Sequence, residues 1–106
     1  CITFKMKNEY HKISYDKIYY ILSAGRKLVM ITDFGNIEYY GKLIELEQFL
    51  PKNRFMRVHQ SYIINVEHIR VIHREEIDMN NGDIVPISRA RQDTIRKYCE
   101  RVAINI

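Results

Sequence analysis

The apolar residues of this chain fall into short runs of strand length, separated by turn signals. The longest continuous apolar stretches are residues 18–22 and 28–31. Tyr, Ile and Val crowd these runs, and those side chains favour half-buried pleated sheets. No run approaches the roughly 18 residues that a membrane-spanning helix needs. The pattern therefore predicts a sheet-rich protein with at least six short strands.

Glycine and asparagine mark the predicted chain reversals. The run Asn80-Asn81-Gly82-Asp83 is the strongest hairpin signal, because Asn and Gly tolerate the positive φ of a tight turn. It joins predicted strands at 76–79 and 84–87. Turns around Gly25 and Gly35 separate further predicted strands, at 17–22, 27–32 and 37–40.

Two segments have helical periodicity instead. Residues 41–50 place Leu43, Leu46 and Leu50 at i, i+3 and i+7, which predicts an amphipathic helix packed on the sheet. Residues 89–102 predict a second helix, with one apolar stripe and a mostly basic opposite face.

Composition is typical of one small globular domain. The 106 residues are 46% hydrophobic and 28% charged, with a net charge of +4. The cations cluster towards both ends of the chain, which suits a protein that presents one face to phosphates. Cys1 and Cys99 lack metal-site spacing, so we expect free thiols in a reducing cytoplasm. The chain opens without Met or a signal segment, so we expect a domain excised from a longer protein.

Residues 54–69 mix buried-type residues with polar groups suited to base edges. If the segment is one strand, Arg57 and His59 face one side and Val58 and Gln60 face the other. An edge strand with locally hydrogen-bonded Arg57 and His59 is an equally good explanation from these residues alone.

The run from Phe55 to Asn65, followed by His68-Ile69, closely resembles the signature segment of the LytTR DNA-binding domain of bacterial response regulators. Residues 16–25, 43–50 and 84–89 resemble other parts of the family in the same order. The resemblance covers roughly residues 10–100, and together with the chain length it predicts one domain over residues 1–106. It also implies a mainly β, elongated fold of several small antiparallel sheets, with one internal helix and a C-terminal helix.

The resemblance further implies DNA contacts through loops and strand ends at three places. In the first place, Arg26 is expected to reach a groove and Lys27 a phosphate, although an alignment shift of one residue would exchange them. In the second place, Gln60 can pair with adenine, where many relatives carry Arg or another polar residue. Arg57 and His59 either orient this loop or touch phosphate.

The third place is the start of the predicted C-terminal helix, residues 88–91. Ser88 and the helix N-terminus can donate to a phosphate, and Arg89 is long enough to enter a groove. Arg91 completes this place. The competing explanation is that Ser88 caps the helix while Arg89 forms a surface ion pair with Asp93.

The expected function is sequence-specific binding of double-stranded promoter DNA, as the cytoplasmic output domain of a two-component transcription regulator. The resemblance implies two protomers on tandem sites and an upstream receiver domain. The sequence shows no catalytic, metal-binding, cofactor-binding or membrane motif, so we expect no enzyme. Two alternatives remain: single-strand binding on exposed tyrosines, for which Tyr19, Tyr20, Tyr39, Tyr40 and Tyr62 are the candidates, and a protein-interaction module.

Overall fold

A computed structural model describes all 106 residues, and three antiparallel sheets carry the fold. The strands are β1 Ile2–Met6, β2 Glu9–Ile13, β3 Ile18–Ala24, β4 Lys27–Thr32, β5 Gly35–Tyr40, β6 Phe55–His59, β7 Tyr62–Asn65, β8 Ile69–Ile72, β9 Glu76–Met79 and β10 Ile84–Pro86. The helices are α1 Leu43–Glu47 and α2 Arg89–Val102. The molecule measures 51 × 24 × 23 Å. The predicted elongated, mainly β architecture is confirmed.

The central sheet has five strands in the order β5-β4-β3-β7-β6 and is covered on both faces. Pairs of consecutive residues in its middle strands show that both faces are buried. Tyr20 and Ile21 on β3 are both buried, as are Ile63 and Ile64 on β7, and the members of each pair belong to different apolar clusters. Successive side chains of a strand point to opposite faces. Each face must therefore bury its apolar side chains beneath a separate layer.

The first layer consists of the β1–β2 hairpin and α1. Leu43, Leu46 and Leu50 are buried against β3, β4 and β7, as the helical spacing predicted. The helix is shorter than predicted, however. Only residues 43–47 are α-helical, and the Phe49 and Leu50 N–H groups donate to carbonyls three residues back. This tighter winding is common at helix ends.

The second layer consists of the β8–β9–β10 sheet and α2. Ile77, Met79, Val85 and Ile95 fill the space between this layer and the central sheet. Tyr20 also crosses between the sheets, and its hydroxyl donates to an Asp83 carboxylate oxygen at 2.8 Å. Burial, with the neighbouring carboxylate, raises the pKa of Tyr20 well above its usual range. Tyr20 therefore stays protonated and keeps the bond between the two sheets.

Residues 54–69 do not form one strand, so the predicted alternation across residues 57–64 is wrong. The chain reverses at Gln60-Ser61, and β6 and β7 pair as a hairpin with an irregular register between Arg57 and His59. Neither turn residue has a positive φ. The turn therefore lacks the Gly or Asn signal by which a tight hairpin is usually found.

The β1–β2 hairpin and β8 were also missed by the sequence patterns. The first hairpin turns through Lys7, which has φ 55°, a conformation that sequence rules assign mainly to Gly or Asn. The predicted Asn80–Asp83 hairpin, the strand over residues 27–32 and the helix over residues 89–102 are confirmed. Neither helix has the length and apolar character needed to cross a membrane.

Truncating Leu46 tests the packing of α1. Leu46 is 8% exposed, whereas Ile44 on the same helix is 62% exposed. We expect Leu46→Ala to lower the free energy of unfolding by about 2–5 kcal/mol, because it leaves a cavity in the core. Ile44→Ala is the matched control and should change it by less than about 0.5 kcal/mol. Urea unfolding of both variants checks this, and equal midpoints would show that the buried face is assigned wrongly.

Candidate nucleic-acid interface

Several loops and the start of α2 meet at one end of the central sheet. We call this surface the loop edge; it comprises residues 23–27, 40–42, 59–61 and 88–91. Two backbone hydrogen bonds tie its loops together. The Ser23 N–H donates to the Ser61 carbonyl oxygen at 3.0 Å, and the Gly41 N–H donates to the Arg26 carbonyl oxygen at 3.2 Å. Since the strands behind these loops pair in one sheet, the loops hold a fixed relative position.

The start of α2 is attached to the same end. The Ser88 N–H donates to the Val58 carbonyl oxygen at 2.9 Å, one residue before His59. The first two predicted places also share a cleft of about 900 Å³, whose lining includes Arg26, Arg57 and Gln60. The fold therefore brings all three predicted places together on the loop edge.

The two cations of the first place differ in their surroundings. The ammonium of Lys27, which is half-buried, lies 5.6 Å from the centre of the Tyr40 ring, a cation–π contact. Arg26 is exposed in the turn after β3 and makes no side-chain hydrogen bond or ion pair. Arg26 thus retains all its donors for a ligand.

Arg57, in the second place, is committed to the protein itself. Its side chain is only 10% exposed, and it contacts a Glu47 carboxylate oxygen of α1 at 2.7 Å. Its Nε donates to the His59 carbonyl oxygen at 2.8 Å and its Nη2 to the Gln60 carbonyl oxygen at 2.5 Å. Of the two roles predicted for Arg57, this geometry is that of a residue that orients the loop.

His59 and Gln60 present different groups to solvent. The Nδ1 atom of His59 accepts a hydrogen bond from the Ser61 N–H at 3.0 Å, and its ring packs edge-on against Tyr62. Because Nδ1 accepts, the proton of the neutral ring lies on Nε2, which has no partner in the protein. Gln60 is exposed, and its side-chain amide makes no hydrogen bond. Its donor and acceptor pair is free.

In the third place, the Arg89 side chain has no ion-pair partner. Ser88 is the N-cap residue of α2, as predicted, but its side chain makes no capping hydrogen bond. Asp93 pairs with Arg96 at 2.5 Å and Lys97 at 3.2 Å rather than with Arg89, so the predicted ion pair is wrong. These cations hold the pKa of Asp93 below its usual range.

Arg89 is exposed and lines a groove of about 540 Å³ along α2. Arg91 is half-buried, its backbone N–H donates to the Ser88 carbonyl oxygen, and its side chain makes no hydrogen bond. Both guanidinium groups therefore lack an ion-pair partner at the start of the helix.

Sequence patterns missed other candidates beside these residues. Lys42 lines the cleft that contains Arg26, and Arg74 lines the groove with Arg89. Nothing in their local sequence separates them from ordinary loop residues; only the placement of the loops does. Glu45 also lines the cleft and contributes a negative charge. No group of three or more His, Cys, Asp or Glu side chains is arranged to hold a metal ion.

Taken together, the fold and the loop edge define a small β-rich domain that presents unpaired cations and a free amide from fixed loops. Such groups bind phosphates and read base edges, so the class is a nucleic-acid-binding domain. The model of the LytTr DNA-binding domain matches residues 8–100 of the chain. The chain therefore belongs to the LytTR family of DNA-binding domains, as its resemblance predicted.

Curated relatives include transcriptional regulators. The chain is 34% identical over 85 residues to the CO-responsive transcriptional regulator RcoM of Rhodospirillum rubrum, covering 74% of this chain and 36% of that protein. It is 30% identical over 90 residues to the sensory transduction protein LytT of Bacillus anthracis, covering 80% and 37%. The chain thus spans little more than a third of the length of these relatives.

A solved structure confirms the fold. The LytTr DNA-binding domain of a putative methyl-accepting/DNA response regulator from Bacillus cereus superposes with a TM-score of 0.73 at 26% identity. The match covers 97% of this chain and 96% of that one. The arrangement of sheets and helices described above is therefore the LytTR fold.

The tautomer of His59 provides a direct test of the loop geometry. We expect the neutral ring to carry its proton on Nε2, because the Ser61 N–H occupies Nδ1. Long-range proton–nitrogen NMR correlation in alkaline buffer distinguishes the two tautomers. A ring protonated on Nδ1 would contradict the hydrogen bond and the loop conformation that depends on it.

Proposed function

We propose that this domain binds double-stranded DNA sequence-specifically through the loop edge, as the output module of a bacterial transcription regulator of the two-component type. The observation that carries this proposal is the placement of Arg26, Gln60 and Arg89. All three are exposed and lack side-chain partners. Arg26 and Gln60 lie on loops joined by backbone hydrogen bonds, and Arg89 begins α2, next to Ser88, which is bonded to Val58 of β6. Free arginine and glutamine side chains on a rigid support are suited to bidentate contacts with guanine and adenine.

The other predicted contact residues differ in whether their donor groups are free to bind DNA. Ser88, Arg91 and the free N–H groups at the start of α2 supply donors for a phosphate. The free Nε2–H of His59 is a further donor on the same edge. Lys27 can turn from Tyr40 towards a phosphate, since an exposed cation–π contact stabilises by only about 0.5–1 kcal/mol. We assign Arg57 no DNA contact.

The place of the domain in a longer protein is also a proposal. Relatives more than twice as long as this chain support a second, upstream domain, which we infer to be a receiver. Family resemblance supports two protomers on tandem promoter sites, in the bacterial cytoplasm. Linkage of two modules would raise the affinity of each through effective concentration. We infer that the domain acts by binding alone, without a catalytic step.

The single-strand alternative has less support. Tyr40 is the one exposed member of the five tyrosines considered, at 76%. Tyr20 is buried, and Tyr19 packs against His68 with ring centres 4.7 Å apart. Tyr39 is partly buried against the first apolar cluster, and this burial raises its pKa to about 12. A stacking platform needs several rings on one open face, and these strands do not provide it.

Removing Arg89 tests base readout. We expect Arg89→Ala to weaken binding to a selected duplex by about 1–3 kcal/mol and to bind a scrambled duplex almost as wild type does. Fluorescence anisotropy at several salt concentrations measures both affinities. Equal losses on the two duplexes, with a smaller salt dependence, would make Arg89 a phosphate contact instead.

Arg101→Ala is the matched control. It removes the same charge from α2 about 18 Å further along the helix. Arg101 is exposed, and its guanidinium lies 5.7 Å from the centre of the Tyr98 ring. A comparable loss of selectivity in Arg101→Ala would show that net charge, not Arg89, governs binding.

A further inference from the structure

Arg57 connects three parts of the molecule that are separate in sequence. Its Nη1 donates to a carboxylate oxygen of Glu47, at the end of α1. The other donors reach the carbonyl oxygens of His59 and Gln60, on the turn that carries the free glutamine amide. The side chain is nine-tenths buried. Glu47, Arg57 and the turn thus form a continuous hydrogen-bonded chain from the helix to the loop edge.

Side chains and a neighbouring strand hold the turn, rather than favoured turn residues. Arg57 binds the carbonyl groups of His59 and Gln60, while Ser61 is bonded to His59 Nδ1 and to Ser23. Two-residue hairpin turns usually rely on Gly or Asn at positive φ, and Gln60 and Ser61 have neither that conformation nor that identity. Arginine can satisfy three acceptors in different directions because its donors form a rigid planar fork. Lysine keeps the charge but has no fork.

We propose that Glu47 and Arg57 are positioning residues that hold the Gln60 turn in the conformation that reads DNA, and that neither contacts DNA. This inference rests on the proposed function of the loop edge. In this role α1 is a support for recognition as well as a cover for the core. Glu47 fixes the guanidinium, the guanidinium fixes the two carbonyl groups, and the turn then aims the Gln60 amide.

For Glu47, a positioning role and a simple charge effect predict opposite changes in DNA binding. Its side chain is 39% exposed, so its negative charge lies near the surface that we assign to DNA. If charge alone mattered, Glu47→Gln would strengthen binding, because it removes repulsion of phosphates. If Glu47 positions the turn, the same change weakens binding to the selected duplex. The two explanations predict opposite directions.

The test compares Glu47→Gln and Arg57→Lys with wild type, on selected and scrambled duplexes, by fluorescence anisotropy. We expect each variant to lose about five- to tenfold in preference for the selected duplex, as the loss of one charge-assisted hydrogen bond allows. Binding to the scrambled duplex should not fall. Glu67→Gln is the matched control, because Glu67 is exposed, follows β7 at the end opposite the loop edge, and forms no ion pair. It should keep the wild-type preference.

Two additional measurements separate positioning from a loss of folding. Amide hydrogen exchange at Ser61 should become faster in Glu47→Gln, while amides of the buried β3 strand keep their protection. The double variant should lose no more preference than Arg57→Lys alone, since both changes break one chain. If Arg57→Lys does not fold, Glu47→Gln and its exchange pattern still decide the matter.

The outcomes distinguish this inference from the proposed function. If wild-type protein does not prefer the selected duplex, the proposed function fails. If wild type does prefer it and Glu47→Gln behaves like Glu67→Gln, the positioning role is overturned. A fall in scrambled-duplex binding with a shallower salt dependence in Arg57→Lys would also overturn it, because Arg57 would then be a phosphate contact.

Discussion

Burial of both faces of the middle strands is the constraint on which the rest of this structure depends. Tyr20 and Ile21, like Ile63 and Ile64, send adjacent side chains into separate apolar clusters. A five-stranded sheet with two apolar faces cannot be stable in water without two covering layers. Those layers are the N-terminal hairpin with α1 and the small sheet with α2. Their attachment brings the start of α2 beside β6 and so assembles the loop edge.

The arginines of the loop edge and of the strand behind it have different roles, because their partners in the protein differ. Arg57 is buried and holds the Gln60 turn, whereas Arg26 and Arg89 are exposed and unpaired. A preorganised loop loses less conformational entropy when it binds, which leaves more of the contact energy for recognition. Internal hydrogen bonds of the loops therefore belong to the DNA-binding function as much as the exposed donors do.

Predictions from sequence succeeded where a local signal was strong. The Asn80–Asp83 turn, the leucine spacing of α1 and the extent of α2 were all correct. Errors arose where the turn signal was weak or absent. The Lys7 turn places its positive φ on a lysine next to Asn8, and the Gln60 turn contains neither Gly nor Asn. The Gln60 turn is stabilised by an arginine three residues earlier and a carboxylate on another element. Turn prediction uses only neighbouring residues in the sequence, so it cannot include partners on other elements.

The sequence by itself determined the family, the mainly β class and the three polar segments, because these depend on residue types at fixed spacings along the chain. Tertiary structure decided which groups in those segments remain free. It showed that Lys27 lies over Tyr40, that Asp93 pairs with Arg96 and Lys97, and that Arg57 is enclosed. Burial and pairing are properties of neighbours in space. Residues far apart in sequence, such as Glu47 and Gln60, therefore acquire related roles only when the chain folds.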